Sequence, residues 1–301
     1  MENFQRLTER IFKQTYGFPS ENLSGEKLDK VRDAVIKLRS SYASNVCTPL
    51  YHNEEIRKAY MFAYYPYYIQ SVYDVISELL KTDWGQGELI HWGERRIGYA
   101  NPIELTYLAG GPCPELYGTV KALKDTGLDN DIHAEIYDIE DGWRNLQNIT
   151  LDLCKDCYGK NISLNFYSDY DARKSENQEL KQGHGILVMQ NYLSHVRDAE
   201  KFMQSFESLL NSNRFGTIII LDLNYGATNY IFERICDKDF RKQHILFQIL
   251  KHIPSDGEPI TVTHARPSFG IQKIFDSNIN GLKPRFNTKY YYLALAQLYR
   301  R

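Results

Sequence analysis

Thr106-Tyr-Leu-Ala-Gly-Gly-Pro-Cys-Pro-Glu-Leu-Tyr-Gly118 decides how this chain reads. It is a buried strand, a tight glycine turn and the first turn of a helix. That order sets bare N–H groups and the positive end of a helix dipole at the tip of a sheet. Gly110 and Gly111 allow a ligand close to the backbone. Pro112 and Pro114 suit a helix start, where a missing N–H costs nothing. On the order of twenty residues further on, His133-Ala-Glu-Ile-Tyr-Asp138 reads as a second strand ending in a carboxylate. A glycine turn with an acid on the next strand is how βαβ sites hold a ribose hydroxyl pair. The plainer alternative is an ordinary strand-to-helix turn with no ligand.

Outward from that motif, strands and helices alternate. Expected strands are Ile103–Ala109, His133–Tyr137, Ile162–Tyr167, Gly185–Gln190 and Thr217–Leu221, with helices at Glu115–Thr126, Trp143–Tyr158 and Arg197–Leu210. After residue 225 the pattern predicts a helical stretch to about His252, a strand near Ile260–His264 and a last strand at Tyr290–Leu298. Alternation of this kind implies an α/β fold, a Rossmann-like and mostly parallel sheet with helices on both faces. Right-handed crossovers put the strand-to-helix turns on one edge, where such sheets bind ligands.

Residues 1–100 read as a helical extension and 101–301 as the α/β domain. Phe4, Leu7 and Ile11 recur at helical spacing, as do Leu28, Val31, Val35 and Leu38. A third helical segment, Glu54 to Leu80, contains Pro66, which predicts a break near Tyr65. Six tyrosines fall in this segment: Tyr60, Tyr64, Tyr65, Tyr67, Tyr68 and Tyr73. Most are expected to pack on the sheet. Tyr64 and Tyr65 are the ones expected to line a substrate pocket beneath a helical lid.

Composition excludes more than it selects. The chain has 301 residues, 43% hydrophobic and 25% charged, with a net charge of −2. That balance gives no global attraction to nucleic acid or membrane. No apolar run approaches the roughly 18 residues that span a bilayer. The first residues form no apolar signal region, which predicts a cytoplasmic protein. Five cysteines, mostly scattered, do not make a disulfide framework. Cys154 and Cys157 supply two metal ligands where a structural zinc needs four, so they read as helix packing and no metal is expected. From Gly281 onward Lys283, Arg285, Lys289, Arg300 and Arg301 stand without an acid. This stretch is either a phosphate-facing patch or an edge strand kept from pairing by its charges.

The order helical region, strand, GGP turn, helix, acid-ended strand, three more strands and a final aromatic strand resembles the class I S-adenosylmethionine-dependent methyltransferases. The resemblance covers roughly residues 100–300. It implies that Ala109, Gly110 and Gly111 wrap the methionine part of the cofactor S-adenosyl-L-methionine and that Asp138 binds its ribose. It further implies that Ser168 or Asp169 touches adenine, and that Gln190, Asn191 and Tyr192 face the methyl group. His195, one helical turn from Asn191, is a candidate base where the acceptor must lose a proton; its plainer reading is a surface histidine near a helix start. The run from Tyr60 to Tyr68 ahead of the turn also resembles, over a short stretch, methyltransferase-like proteins of mitochondrial ribosome small-subunit assembly. The chain departs from the family's acid-x-Gly-x-Gly-x-Gly turn at Tyr107, Ala109 and Cys113. Tyr107 replaces the carboxylate that supports the amino end of the methionine. Glu115 is placed either to take over that role or to cap its own helix.

Methyl transfer to an unidentified small-molecule, RNA or protein acceptor is the leading reading. The alternatives are a non-catalytic module that binds this cofactor and acts through a macromolecular partner, and a nicotinamide-dependent oxidoreductase. Gly-Gly-Pro-Cys-Pro lacks the G-x-G-x-x-G form that the last would use.

Overall fold

Among the described residues four α-helices precede the sheet. The computed structural model describes residues 4–43, 48–82, 102–128, 130–168, 185–193, 196, 198–212, 214–223, 226–243, 247–252 and 258–297. Helix α1 (Phe4–Tyr16) buries Leu7, Ile11 and Phe12 on one stripe. Helix α2 (Gly25–Ala43) does the same with Val31, Val35 and Leu38. Helix α3 (Glu54–Ala63) starts at Asn53, whose side chain accepts from the N–H groups of Glu55 and Ile56. It ends at Tyr64, where φ falls to −133°. Helix α4 (Tyr65–Leu80) begins immediately, with Pro66 in its first turn. The break predicted near Tyr65 is therefore present, one residue earlier.

Strand β1 (Ile103–Leu108) follows, then α5 (Pro114–Asp125), β2 (Ile132–Tyr137), α6 (Arg144–Tyr158), β3 (Ile162–Tyr167) and β4 (Gly185–Gln190). After them come α7 (Ala199–Asn211), β5 (Phe215–Asp222), α8 (Gly226–Cys236), α9 (Lys238–Gln243), β6 (Phe247–His252), β7 (Ile260–Thr263), α10 (Phe269–Gln272) and β8 (Asn287–Gln297). Strands β1 to β5 match their expected positions within two residues at each end.

The sheet order is β3-β2-β1-β4-β5-β8-β6, with β7 paired to the first residues of β8. Pairs among β1 to β5 are parallel. Strand β8 lies antiparallel between β5 and β6. Chain order reverses between β1 and β4, which makes their carboxyl ends the switch point. One expectation fails here. The helical reading of residues 225–252 holds only to Gln243, and Phe247–His252 is strand β6. Its partner is β8, with Ile249 opposite Leu295. A pairing between segments so far apart in sequence leaves no local signal.

Three apolar clusters organise the packing. One face of the sheet meets α4, α5 and α6 through residues such as Val72, Leu116, Val120 and Leu153. The other meets α7, α8 and α9 through Phe202, Phe206, Ile231 and Phe232. The third holds α1 to α3 together with Ile271, Ile274 and Leu282 from the segment before β8. Polar contacts tie that segment down as well. Glu9 accepts from the Ser20 N–H (2.7 Å) and the Ser268 hydroxyl (2.6 Å).

Gly118 sets how closely α4 crosses α5. A Cβ there would stand 2.7 Å from the Ile69 carbonyl oxygen and 3.1 Å from Val72 Cβ. Bare backbone lets the two helices touch and brings α4 over the ends of β1 and β4.

Candidate active site

The parallel ladders set a row of chain exits along one edge. Leu108 pairs with Tyr137 and with Met189, and Tyr137 pairs with Tyr167. The residues leaving the sheet are therefore Ser168, Asp138, Ala109 and Gln190, side by side.

The turn after β1 winds through left-handed backbone. Ala109, Gly111 and Cys113 have φ of +52°, +52° and +59°. Two of these residues carry a side chain, which costs on the order of 1 kcal/mol each. Ala109 and Cys113 are the two positions where the sequence departs from glycine. Both still take the conformation that a glycine adopts without strain. Gly110 is small for a different reason: a Cβ there would lie 2.9 Å from Ile136 Cγ2.

Four backbone groups of the turn are fixed from outside it. The Ala109 N–H donates to the Tyr137 carbonyl (2.7 Å). The Gly111 N–H donates to Asp138 Oδ2 (2.8 Å), and Gln147 donates to the Gly111 carbonyl (2.7 Å). Thr150 donates to the Pro112 carbonyl (2.6 Å) and is itself joined to the Tyr65 hydroxyl (2.7 Å). Trp143 covers the turn, with ring atoms 3.5–3.7 Å from where a Gly111 Cβ would be. Tyr51 and Tyr60 pack on Trp143 with centroids 4.9 and 5.5 Å away.

Asp138 is buried, and its second oxygen accepts from the Glu140 N–H (3.0 Å). Burial pushes its carboxyl up to about 6, against the pull of the Glu140 and Gly111 N–H groups. Glu140 is buried too. It accepts from the Gly142 N–H (3.0 Å) and pairs with His52 (2.7 Å) and Arg57 (3.8 Å). The loop after β2 is thereby held to the helical region.

Glu115 lies in the first turn of α5, 4% exposed. Among the described residues its Oε2 has no hydrogen-bond partner. Burial raises its carboxyl to about 8; its own N–H and the Cys113 thiol oppose that rise, and Asp138 adds to it. A buried carboxylate with an unmet oxygen is costly unless a donor or cation reaches it.

At the end of β4, Gln190 Nε2 donates to Ser71 Oγ (2.8 Å) and the Tyr68 carbonyl (3.2 Å), while its Oε1 is buried without a partner among the described residues. Asn191 follows with φ +54°, its N–H donating to the Leu221 carbonyl (2.8 Å). Tyr192 is buried against Phe202. Ser168 is exposed at the end of β3. Asp169 and His195 lie outside the described residues. Tyr65 is buried behind the turn with Thr150, whereas Tyr64 lies beside Tyr60, Tyr68 and Arg285. The structure thus brings Ala109, Gly110, Gly111, Glu115 and Asp138 together, with Gln190 and Asn191 on the adjoining strand end.

Sequence reading passed over Trp143, Gln147 and Asp222. Asp222 ends β5, fully buried, and accepts from the Leu193 and Leu223 N–H groups, both at 2.7 Å. It fixes the loop after β4. Only its place at the end of an apolar run hinted at this.

The sheet is Rossmann-like, a parallel 3-2-1-4-5 core with a final strand inserted antiparallel beside β5, which is the order that the class I methyltransferase resemblance implies. No protein-family model and no curated protein matches the sequence. Similar solved structures include an O-methyltransferase family protein from Burkholderia thailandensis, with 14% identity over 93% of this chain and 75% of that one and a TM-score of 0.43. An rRNA methylase from Streptococcus thermophilus shows 12% identity over 70% and 97%, with a TM-score of 0.32. The CMeT domain of a citrinin polyketide synthase shows 12% over 92% and 67%, at 0.39. All three scores lie below 0.5. Among the described residues no helix is long and apolar enough to cross a membrane.

Proposed function

We propose that the protein is an S-adenosylmethionine-dependent methyltransferase. The observation that carries this reading is Glu115: a buried carboxyl group, one oxygen of which has no partner among the described residues, beside a left-handed turn at the switch point. The cofactor's methionine end carries an ammonium group, the kind of donor such an oxygen lacks. Glu115 then does the work of the carboxylate that Tyr107 displaced.

The other residues fit the same ligand. Ala109, Gly110 and Gly111 leave backbone room for the methionine. Asp138 is held by two N–H groups and keeps lone pairs for the ribose hydroxyls. Ser168, with Asp169 after it in sequence, lies on the adenine side. When bound, the cofactor supplies an electrophilic methyl group. The chain's part is to hold the acceptor in line with it and exclude water. Gln190 Oε1 and Asn191 are the hydrogen-bonding groups for an acceptor, with Tyr192 and His195 next along the chain and Tyr64 on the helical side; Tyr65, buried with Thr150, supports the turn instead.

Titration with S-adenosylmethionine, S-adenosylhomocysteine and NAD tests the proposal. Binding of the first two and not the third is expected. The antiparallel β8 beside β5 counts against the dinucleotide reading, whose doubly wound sheet continues in parallel at that place. A cofactor-binding module without turnover remains the second reading, favoured by the strained Ala109 and Cys113. It is separated by methyl transfer from labelled cofactor to a cell extract.

A further inference from the structure

Strands β7 and β8 form a ribbon that stands above the ligand edge of the sheet. The last pair between β5 and β8 is Asp222 with Tyr291, one residue past the Leu221 that pairs with Gln190. All four β7–β8 pairs, from Ile260–Tyr290 to Thr263–Asn287, lie beyond it. At about 3.4 Å per residue the ribbon rises roughly 13 Å past the edge where Ala109, Asp138 and Gln190 leave the sheet.

One face of the ribbon is open to solvent. Thr261, Thr263, Asn287 and Lys289 are exposed, while Val262 and Thr288 between them are half-buried and Tyr290 is buried. Arg266 and Arg285 are exposed just beyond the paired residues. Arg285 lies over the Tyr64 ring, 5.0 Å from its centroid, and Arg266 over the Phe286 ring, at 5.8 Å. Between Ile260 and Tyr290 the sequence has five lysines and arginines and one acid, Asp276, in a chain whose net charge is −2. Among the described residues none of these five cations pairs with a carboxylate. Arg300 and Arg301, grouped with them in the sequence, lie outside the described residues. Three residues past Arg266, Phe269 is 75% exposed, with the Lys273 ammonium 5.2 Å from its ring centroid. An apolar ring held in water among cations is a surface on which a base stacks.

We propose that the β7–β8 ribbon, with Phe269, is a docking surface for a single strand of RNA. Its exposed cations take the phosphates and Phe269 takes a base. The hydroxyl and amide groups of Thr261, Thr263 and Asn287 take ribose 2′-hydroxyls. A single strand fits because the ribbon leads to an edge that a base stacked inside a duplex does not reach. Delivery of a methyl acceptor rests on the methyl-transfer reading above; RNA binding stands on the ribbon alone.

The test is fluorescence anisotropy of a labelled single-stranded RNA of about twelve nucleotides, titrated with the full chain between about 50 and 200 mM salt. The proteins are wild type, the triple variant Arg266→Gln/Arg285→Gln/Lys289→Gln, Phe269→Ala, and Lys155→Gln on α6 as control. Every replaced side chain is exposed, and circular dichroism checks the fold. Wild type is expected to bind with a Kd of about 10 μM at the lowest salt. The triple variant is expected to bind at least about tenfold more weakly. Its slope of log K against log salt is expected to be shallower by about 2, at roughly 0.7 per phosphate contact. Phe269→Ala weakens binding about tenfold and leaves the slope unchanged. Lys155→Gln binds as wild type does, and affinity for S-adenosylhomocysteine is the same in all four proteins. Equal RNA binding by wild type and the triple variant overturns the surface, as does no binding at about 100 μM protein. Equal binding of a duplex RNA or of the same sequence as DNA overturns the single-stranded RNA assignment, and so does an unaffected Phe269→Ala. Displacement by polyglutamate as effective as by unlabelled RNA assigns the face to an acidic protein instead. Ribbon-dependent RNA binding without any binding of S-adenosylhomocysteine keeps the surface and overturns its role in delivering a methyl acceptor.

Discussion

The Gly111 N–H donates to the Asp138 carboxylate at 2.8 Å, joining the turn after β1 to the end of β2. The two segments that a nucleoside ligand would bridge are thus fixed to each other by the protein itself. Glu140 completes the link by donating its N–H to the other oxygen of Asp138. A site built this way loses little order on binding, because turn and acid are already placed.

The backbone at Ala109 gives a direct test of the turn. Its φ of +52° is strained for any side chain and most strained for a β-branched one. Ala109→Gly is expected to change stability by less than about 1 kcal/mol, relief of strain being offset by a freer unfolded chain. Ala109→Val is expected to cost about 2 kcal/mol or more. Urea unfolding of both variants checks this, and equal stabilities would mean that the turn does not hold the left-handed form.

Glu115 makes stability depend on pH in a defined direction. Its carboxyl titrates at about 8 in the folded chain against an ordinary 4.5. Between those values the folded chain keeps a proton that the unfolded chain has released, so stability falls as pH rises through that window. Asp138 adds a fall of the same sign between 3.8 and about 6. The melting temperature is therefore expected to be higher at pH 5 than at pH 8, and Glu115→Gln flattens the slope above pH 6. A ligand ammonium reverses the preference for the proton. Binding of S-adenosylhomocysteine near pH 7 is expected to release up to about one proton, and adenosine none. Calorimetry in buffers of different ionisation enthalpy reads this, and equal release for both ligands would assign Glu115 to helix capping.

Gly118 is expected to tolerate nothing larger. Gly118→Ala places a methyl 2.7 Å from the Ile69 carbonyl and forces α4 away from α5. The expected loss is about 1–3 kcal/mol, although alanine is the better helix former. A thermal melt that showed stabilisation would contradict the close crossing.

The sequence made β1 to β5, α5 to α7 and the break at Tyr64 legible, because each rests on local pattern: apolar runs of strand length, a proline, a glycine turn. Strand β6 was not, since its conformation follows from β8. The site was legible as far as Gly110, Gly111 and Asp138, whose types report backbone approach and a strand-end charge. Ala109 and Cys113 were harder, because nothing in an alanine or a cysteine announces left-handed backbone. Trp143 and Gln147 reach the turn from the far side of β2, and only tertiary packing shows that they touch Gly111.

Calorimetric titration of S-adenosylhomocysteine into wild type and Asp138→Ala tests the central claim most directly. Wild type is expected to bind in the micromolar range, about 1–100 μM, and Asp138→Ala at least about tenfold more weakly, the range for a hydrogen bond to a charged group. No heat from wild type at about 1 mM ligand, or equal affinity in the two proteins, would contradict it.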